Sequence, residues 1–442
     1  MLKYVKGEYR IIGYFWYVWG FAGEYIIYNI KYLIFNIMTL TTRRRFIKIT
    51  GSTAVLISAF GFSGLLKSCG YGDKGSVIFI GATDKSYPIL EVKGGYFDIG
   101  HAIGSTFRDQ ITAMFDERKG YFDRMRNFID ENQDFYEGML AASEKYFPHL
   151  VKEMEGISAG AGIPFRDIFI LNIKAEIGAA IMDLKNDTPG CSTIHYSGNG
   201  KKFYIHNEDG DESNNGRMFM VKATPPSGVS FYVMTYPGIL MGNGPAMNDH
   251  GITQSTNYIA SLEYRLGVPR YVLGRAILES KNMDEAISIA SHPERAFAYH
   301  HNLGSFTELK MISLEVSPSE TSIYEPNGIY CHTNHLVLEE TKNCPQDTAY
   351  VNSSSMSRYE VLEKEIDETG DQDHFTRDRA LQMLSSHEQK PWSPCRHPEG
   401  DVNGRTLGTV LFDINKREML VYKGNPCVAH PESRFTSYVF DM

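Results

Sequence analysis

The sequence predicts a large α+β body in which strands lie between helical layers. Three observations predict it. Apolar residues recur every three or four positions before residue 185, short β-branched and aromatic runs dominate from Cys191 onward, and helical periodicity returns between later strands. The 442 residues can bury a large core and contain neither an internal repeat nor a low-complexity linker. We therefore expect one layered α+β body.

The first half of this body is predicted to be mainly helical. A short β pattern, "SVIFIGAT" followed by "YPILEVKGG", precedes segments with helical periodicity: "YFDIGHAIGSTFRDQITAMF", "YFDRMRNFIDENQDFYEGMLAASEKYF" and "FRDIFILNIKAEIGAAIMDL". The run "KNDTPG", residues 185–190, then breaks the pattern, because Pro and Gly end regular structure. Residues 70–190 are therefore predicted to form a helical fragment.

The second half, residues 191–442, is predicted to be β-rich. The runs "CSTIHY", "KFYIHNE", "RMFMVKA" and "VSFYVMTY" are separated by Gly, Asn and Pro clusters, which predicts an antiparallel meander. Helices are predicted in "YVLGRAILESKNMDEAISIASH", "SSSMSRYEVLEKEI" and "RDRALQMLSS". Further strands are predicted in "KMISLEVS", "TSIYEP" and "GIYCHTNHL", with a final strand pair in "TLGTVLFDINKREMLVYKG".

Charge is unevenly distributed along the chain. Residues 1–69 contain nine Lys/Arg and two Asp/Glu, whereas the remaining residues carry 35 basic and 51 acidic side chains. Proteins that bind nucleic acid neutralise phosphates with Lys and Arg, and the acidic body has no basic stripe. The sequence therefore argues against nucleic acid as a partner.

Residues 38–69 have the layout of an export signal. Arg43, Arg44 and Arg45 precede an apolar stretch diluted by Gly and Ser, and "TRRRFIK" resembles the bacterial twin-arginine signal. The ending "LLKSC" is similar to a lipoprotein cleavage box, which makes Cys69 a candidate for lipidation. We therefore predict an exported protein, periplasmic or facing the cell exterior, that touches the membrane only through its signal or lipid anchor. A basic loop before a buried helix is the alternative.

Residues 1–37 form an apolar, aromatic extension that Glu24 and Lys31 interrupt. Because the export-like segment follows at once, we expect the protein to begin at Met38. An uncleaved membrane anchor is the alternative.

Six cysteines occur, and none forms a CxxC pair, so no structural zinc or redox motif is predicted. The densest ligand-like cluster is "CHTNH", residues 331–335, but alternation along a strand would send Cys331 and His332 to opposite faces. We expect no metal and no cofactor, and a metal-dependent hydrolase using this cluster is an alternative. In an exported protein Cys331, Cys344, Cys395 and Cys427 can form disulfides, with three possible connectivities.

Cys191 differs from the other cysteines in its setting. It follows Gly190, which lets the backbone bend sharply, and it begins the first strand of the β-rich half. A thiol in this position can attack the carbonyl of its own preceding peptide bond, and water can hydrolyse the resulting thioester. The second chain would then start at Cys191, whose free α-amine could act as base for its own thiol. A buried cysteine at a strand start is the alternative.

Eight segments, read in order, carry a family resemblance: "GGYFDIGHAIGSTFRDQI", "MEGISAGAGIPFRDIFILNIKAE", "GCSTI", "HNEDGD", "MNDHGITQSTN", "HTNHL", "SRYEVL" and "TLGTVLFDINKREMLVYKGNPC". The set resembles the penicillin acyltransferase-like family of N-terminal nucleophile hydrolases. The resemblance implies a four-layer αββα sandwich with a helical N-terminal segment, autocatalytic cleavage between Gly190 and Cys191, and Cys191 as the catalytic nucleophile.

The resemblance also implies roles for residues further along the chain. Asp209 in "HNEDGD" matches the acidic residue that helps to orient the new amine and supports maturation. Asn334 in "HTNHL" matches the side-chain amide donor of the oxyanion hole. Without the family, Asp209 reads as a turn residue and Asn334 as a strand cap.

Weaker candidates for substrate binding are Asn248 and Asn257 in "MNDHGITQSTN" and Arg405 before "TLGTVLF". Lys174 in "LNIKAE" stands where the resemblance leads us to expect Arg. We expect the histidines, namely His195, His206, His332 and His335, to be packed residues, because a free α-amine makes a separate histidine base unnecessary. Glu315 is expected to belong to a strand.

These inferences predict an exported, self-processing hydrolase that cleaves linear amide bonds of a small N-acyl substrate. Its helical α fragment, up to Gly190, and its β-rich fragment, from Cys191, would come from one precursor. Acyl transfer to an amine and a non-catalytic, surface-attached binding protein are the alternatives. The resemblance implies acyl transfer from coenzyme A thioesters as one activity of the family. Coenzyme A is a cytoplasmic metabolite that an exported enzyme would seldom meet, so hydrolysis is favoured.

Overall fold

The computed structural model describes residues 2–5, 8–11, 75–181, 190–370, 374–428 and 435–440. Cys69 and the rest of the predicted export signal lie outside these residues. Within the described part of the chain, no helix is long and apolar enough to cross a membrane. A short antiparallel hairpin, β1 (Leu2–Val5) with β2 (Glu8–Ile11), belongs to a unit separate from residues 72–442.

Helices form most of residues 96–181, where the periodicity predicts them. Strands β3 (Ser76–Ile80) and β4 (Ile89–Lys93) pair antiparallel and precede a run of helices. The helices are α1 (Tyr96–Thr106), α2 (Arg108–Glu117), α3 (Lys119–Glu131), α4 (Gln133–Tyr146), α5 (Pro148–Ala161), α6 (Phe165–Asn172) and α7 (Lys174–Ile181).

Strands dominate from residue 192 onward, as predicted. They are β5 (Ser192–Gly198), β6 (Lys201–Asp211), β7 (Phe219–Thr224), β8 (Phe231–Thr235), β9 (Ala246–Asn248), β10 (Ile252–Tyr258), β11 (Tyr299–Ser305), β12 (Lys310–Val316), β13 (Thr321–Tyr324), β14 (Gly328–His332), β15 (Gly404–Asp413), β16 (Glu418–Lys423) and β17 (Thr436–Tyr438). The helices among them are α8 (Arg270–Ile277), α9 (Met283–Ala290), α10 (Thr348–Tyr350), α11 (Met356–Asp367) and α12 (Arg377–Leu384), and a π-helical turn, Val351–Ser355, joins α10 to α11.

The strands from β3 onward form two sheets. The first has nine strands in the order β13-β12-β11-β10-β9-β8-β7-β4-β3, and only the pairing of β4 with β7 is parallel. The second has six strands in the order β14-β5-β6-β15-β16-β17, all antiparallel. The predicted single meander from "CSTIHY" to "VSFYVMTY" is therefore wrong. One edge of β6 pairs with β5 and the other with β15, so β7 cannot pair with β6. After a short 3-10 turn the chain enters the first sheet, where β7 pairs with β8.

Alternation along β5 shows how the layers pack. Ile194 and Tyr196 join a hydrophobic cluster with residues of α11 and α12. Thr193 and His195 face the first sheet instead, where His195 Nε2 lies 2.8 Å from Asn302 Oδ1 of β11. Helices α1 and α9 pack against the first sheet from its other side. The predicted α+β body with strands between helical layers is thus confirmed.

Glycines allow α1 and α5 to touch along their backbones. A Cβ on Gly100 or Gly104 of α1 would collide with backbone atoms of α5, and a Cβ on Gly156 or Gly160 of α5 would collide with backbone atoms of α1. This close approach fixes the distance between the two helices.

We expect Gly156→Ala to lower the free energy of unfolding by about 1–3 kcal/mol, because the added methyl must force the two helices apart. The control is Gly120→Ala on α3, where a Cβ meets no atom within 4 Å. That change should leave stability unchanged or raise it by up to about 1 kcal/mol. Chemical denaturation of both variants, each also carrying Cys191→Ala so that the predicted self-cleavage cannot occur, measures the difference. Equal stabilities would contradict the close packing.

Candidate active site

A cleft contains Cys191 and acidic residues of β6. Both sheets and the helices α3, α7 and α8 contribute to its wall. Its lining includes Tyr121, Lys174, Cys191, Glu208, Asp209, Asp211, Tyr236, Thr256, Tyr258, Arg270, Tyr271 and Tyr299. The cleft therefore brings the candidate nucleophile together with several titratable groups.

Cys191 is buried and held through its backbone. Its N–H donates to Oδ1 of Asn334 at 2.8 Å, and its carbonyl accepts from Nη1 of Arg358 at 2.6 Å. Burial raises the pKa of the Cys191 thiol well above its usual value, and the nearby Glu208 and Asp209 act in the same direction. The thiol is therefore protonated at neutral pH and needs a base before it can attack a carbonyl.

Asn334 lies beside Cys191, and its contacts fix which way the side-chain amide points. Oδ1 accepts from the Cys191 N–H and from Nη2 of Arg358 at 2.7 Å, and Nδ2 donates to the Tyr258 carbonyl at 2.8 Å. The backbone N–H of Asn334 donates to Ser355 Oγ at 2.7 Å. One amide N–H is thus engaged by Tyr258, and the second is the one that an oxyanion would require. The donor role in an oxyanion hole stays a prediction.

Arg358 is a site residue that sequence reasoning missed. It is fully buried, and Nη1 also donates to Ser192 Oγ at 3.1 Å. Arg358 shares the buried face of α11 with Val361 and Leu362. An arginine on the apolar face of a helix is the signal that could have identified it.

Gly190 is buried against two guanidinium groups. A Cβ at this position would lie 2.5 Å from Nη1 of Arg396 and 3.1 Å from Nη2 of Arg358. A side chain could not fit there without moving one of the arginines, which explains why glycine precedes the cysteine. Arg396 lies in the loop before β15, and no periodicity in its sequence reveals it.

Asp209 is buried near the end of β6, next to a β-bulge. The register between β6 and β15 shifts between Thr406 and Gly408, and bulges of this kind often lie beside functional sites. Burial raises the pKa of Asp209 to about 7, although the positive charges of Arg396 and Arg358 act in the opposite direction. Asp209 is therefore poised to change its charge near neutral pH.

Glu208 completes the acidic side of the cleft, and His206, also on β6, lies beside it. Glu208 Oε1 accepts from the Tyr236 hydroxyl at 2.5 Å, and Oε2 lies 3.3 Å from His206 Nε2. His206 Nδ1 lies 2.8 Å from Thr193 Oγ1, so both ring nitrogens are engaged. Cys191, His206 and Glu208 each offer a ligand atom within 4.8 Å of the others, so they are also able to hold a metal.

Tyrosine rings and two cations form much of the remaining wall. The guanidinium of Arg270 lies 4.8 Å from the ring centre of Tyr258 and 4.6 Å from that of Tyr299. Lys174 also lines the cleft. Lys174, which stands in "LNIKAE" where the resemblance leads us to expect Arg, is therefore part of the cleft wall.

The structure does not bring the three weaker candidates to the cleft wall. Asn248 Nδ2 donates to the Leu278 and Ser280 carbonyls, so this side chain fastens a loop. Asn257 lies between the sheets, with Oδ1 accepting from Asn302 Nδ2 at 2.8 Å. Arg405 forms an ion pair with Glu212 and donates to Asn425 at 2.9 Å. Their predicted roles in substrate binding have no support from these positions.

The segment "CHTNH" separates its cysteine from its first histidine, as strand alternation predicts. Cys331 packs in the cluster with α11 and α12, whereas His332 Nε2 lies 2.9 Å from Oε1 of Glu315 on β12. His335 Nδ1 lies 2.8 Å from Ser355 Oγ. These side chains do not converge on one point.

Solved structures similar to this chain include a variant of conjugated bile acid hydrolase from Clostridium perfringens, with a TM-score of 0.36, 11% identity, and coverage of 57% of this chain and 97% of that one. Penicillin V acylase from Agrobacterium tumefaciens gives a TM-score of 0.31 and 10% identity over 53% of this chain and 83% of that one.

Sequence comparison gives a longer alignment. The chain is 24% identical to the β-alanyl-dopamine/carcinine hydrolase of Drosophila melanogaster over 392 residues, which covers 79% of this chain and 96% of that protein. The profile of the family described as acyl-coenzyme A:6-aminopenicillanic acid acyl-transferase matches residues 196–427. Since this match spans more than half of the 442 residues, the chain belongs to the acyl-coenzyme A:6-aminopenicillanic acid acyl-transferase family.

Proposed function

We propose that the chain cuts its own Gly190–Cys191 bond and then uses Cys191 to cleave linear amides of small N-acyl substrates. The observation that carries this proposal is the fixation of Cys191 inside a cleft: Asn334 holds its N–H and Arg358 holds its carbonyl. A cysteine whose backbone is bound on both sides keeps its position when the peptide bond before it is broken.

Self-cleavage begins when Sγ of Cys191 attacks the carbonyl carbon of Gly190. The peptide nitrogen leaves as the amine of Cys191, carrying the proton that the thiol gives up, and a thioester forms between the Gly190 carbonyl carbon and the Cys191 sulfur. Negative charge that develops on the carbonyl oxygen is stabilised by Arg358 and Arg396, whose guanidinium groups lie against Gly190. Water then hydrolyses the thioester, which leaves a carboxylate on Gly190 and a free thiol on Cys191.

The mature enzyme uses the new α-amine, with a reference pKa of about 8, as base. The amine takes the proton of the Cys191 thiol, and the thiolate attacks the substrate carbonyl to form a tetrahedral intermediate. The second N–H of Asn334 is the candidate donor to its oxyanion. The departing amine receives the proton, and water resolves the acyl-enzyme.

Water is the acceptor that we propose, with acyl transfer to an amine as the alternative. The aligned relative is a hydrolase, and the substrates in its name, β-alanyl-dopamine and carcinine, are the first compounds to test on this chain. Export through the signal at residues 38–69, with lipidation of Cys69, would also separate the enzyme from cytoplasmic coenzyme A. Acyl transfer is the alternative because the family is described as an acyl-transferase.

We expect the full chain, once purified, to give two fragments, one ending at Gly190 and one beginning at Cys191. Intact mass and N-terminal sequencing measure this directly. Cys191→Ala should stay uncut because no thiol is present to attack. Cys331→Ala is the matched control, since Cys331 lies in the helix-facing cluster, and it should be cut like the wild type.

An uncut wild-type chain that still hydrolyses amides would contradict the proposal. An uncut chain without turnover would favour the binding-protein alternative.

Self-cleavage should depend on pH through Asp209, whose pKa is raised to about 7. An ionised Asp209 stabilises the proton that the Cys191 nitrogen gains, so the rate should fall about tenfold for each pH unit below 7 and level off above it. The folded-state pKa lies above the unfolded one, so protonating Asp209 at low pH favours the folded state and unfolding through this group cannot explain the loss.

A time course of fragment formation after refolding the precursor measures this dependence. Asp209→Asn should cleave slowly and without the step near pH 7. Asp211→Asn, a change at the last residue of β6, two positions from Asp209, should keep the wild-type profile. A wild-type profile in Asp209→Asn would show that Asp209 does not support maturation.

A further inference from the structure

Four side chains with metal-binding atoms converge away from the cleft. His387 follows α12, Cys395 and His397 lie in the loop before β15, and Cys427 lies in the 3-10 turn after β16. One ligand atom from each of the four lies within 4.8 Å of those of the other three. Segments 40 residues apart in sequence therefore meet at one point.

Two separations within this cluster are close to those around a tetrahedral zinc ion. His397 Nε2 lies 3.7 Å from Cys395 Sγ and 3.3 Å from Cys427 Sγ. Zinc binds thiolate sulfur at about 2.3 Å and histidine nitrogen at about 2.0–2.1 Å, so two such ligands of a tetrahedral ion lie about 3.6 Å apart. The ring of His387 stands at 77° to that of His397, with centroids 5.0 Å apart.

The geometry points to a structural Zn²⁺ site formed by His387, Cys395, His397 and Cys427. Two thiolates and two imidazoles make a closed Cys₂His₂ set of the kind that zinc prefers in structural sites. A neighbouring amide supports it: Asn425 Nδ2 lies 3.4 Å from Cys395 Sγ, where its N–H hydrogen-bonds to the sulfur. The sequence did not reveal the site because its ligands form no CxxC pair.

The site would fix the loop that carries Arg396 into the cleft region. Arg396 stands between two of the ligands, and its carbonyl accepts from Asn425 Nδ2 at 2.7 Å. Its backbone N–H donates to Thr406 Oγ1 at 2.9 Å, beside the β-bulge. A bound ion would therefore hold the guanidinium that lies against Gly190, so metal loss should also slow self-cleavage.

A disulfide between Cys395 and Cys427 is the competing use of the two thiols. A disulfide would leave the two histidines without a role, although His397 contacts both sulfurs and the ring of His387 packs against that of His397. If the chain folds before export, as the predicted twin-arginine signal implies, the cysteines meet zinc in a reducing compartment first.

Elemental analysis of the full chain, purified without chelator, tests the proposal. We expect about one zinc ion per chain in the wild type and less than a tenth of that in Cys427→Ser and in His387→Ala. His387 is exposed, so its substitution should not prevent folding, and circular dichroism checks this. After exchange with Co²⁺, the protein should show thiolate-to-cobalt charge-transfer bands and the d–d bands of a tetrahedral site, and Cys427→Ser should lose them.

Two controls separate this site from others. Cys344→Ser should keep the zinc, because Cys344 lies outside the cluster. Cys191→Ala, which removes a ligand from the three-residue group in the cleft, should also keep it, so the test holds whether or not the chain processes itself.

Three results would overturn the proposal. One is a chain without zinc. Another is a chain lighter by two hydrogens, with peptides of Cys395 and Cys427 joined. The third is bound zinc that neither His387→Ala nor Cys427→Ser reduces.

Discussion

The buried guanidinium of Arg358 holds three parts of the chain together at Cys191. It binds the Cys191 carbonyl at the start of β5 and Oδ1 of Asn334 after β14, and it is itself held on α11. Without it, the carbonyl and the amide oxygen would each lose a buried partner, at a cost of about 1–3 kcal/mol apiece. The position of Cys191, the proposed nucleophile, therefore depends on a contact between the second sheet and its outer helical layer.

Two further constraints act on the same point from other directions. The guanidinium of Arg396, in the loop before β15, packs against Gly190. The β-bulge opposite Asp209 interrupts the pairing of β6 with β15. Each brings charge close to the bond between Gly190 and Cys191. In a buried site such charges are weakly screened, so they can stabilise the changes in charge that cleavage of this bond requires.

The sequence was sufficient for the fold class, and it named part of the candidate site. Periodicity predicted the helices and most strands, and the family resemblance pointed to Cys191, Asp209 and Asn334, which the structure places around one end of β5 and β6. Sheet membership could not be predicted, because β5 to β8 have the same local pattern although β5 and β6 belong to one sheet and β7 and β8 to the other. Arg358 and Arg396 were missed since their importance comes from burial beside Gly190. The zinc ligands were missed because they meet only in the folded chain.

The central claim is that one residue is both the new N-terminus and the nucleophile. The most direct test is to quench the mature enzyme with acid during turnover of an N-acyl amide and to map the fragment that begins at Cys191. The account predicts an acyl group on the Cys191 thiol, located by fragment-ion mass spectrometry of the peptide at acid pH, where the protonated α-amine cannot take the group from sulfur. An acyl group on another residue, or a blocked α-amine in an active enzyme, would contradict it.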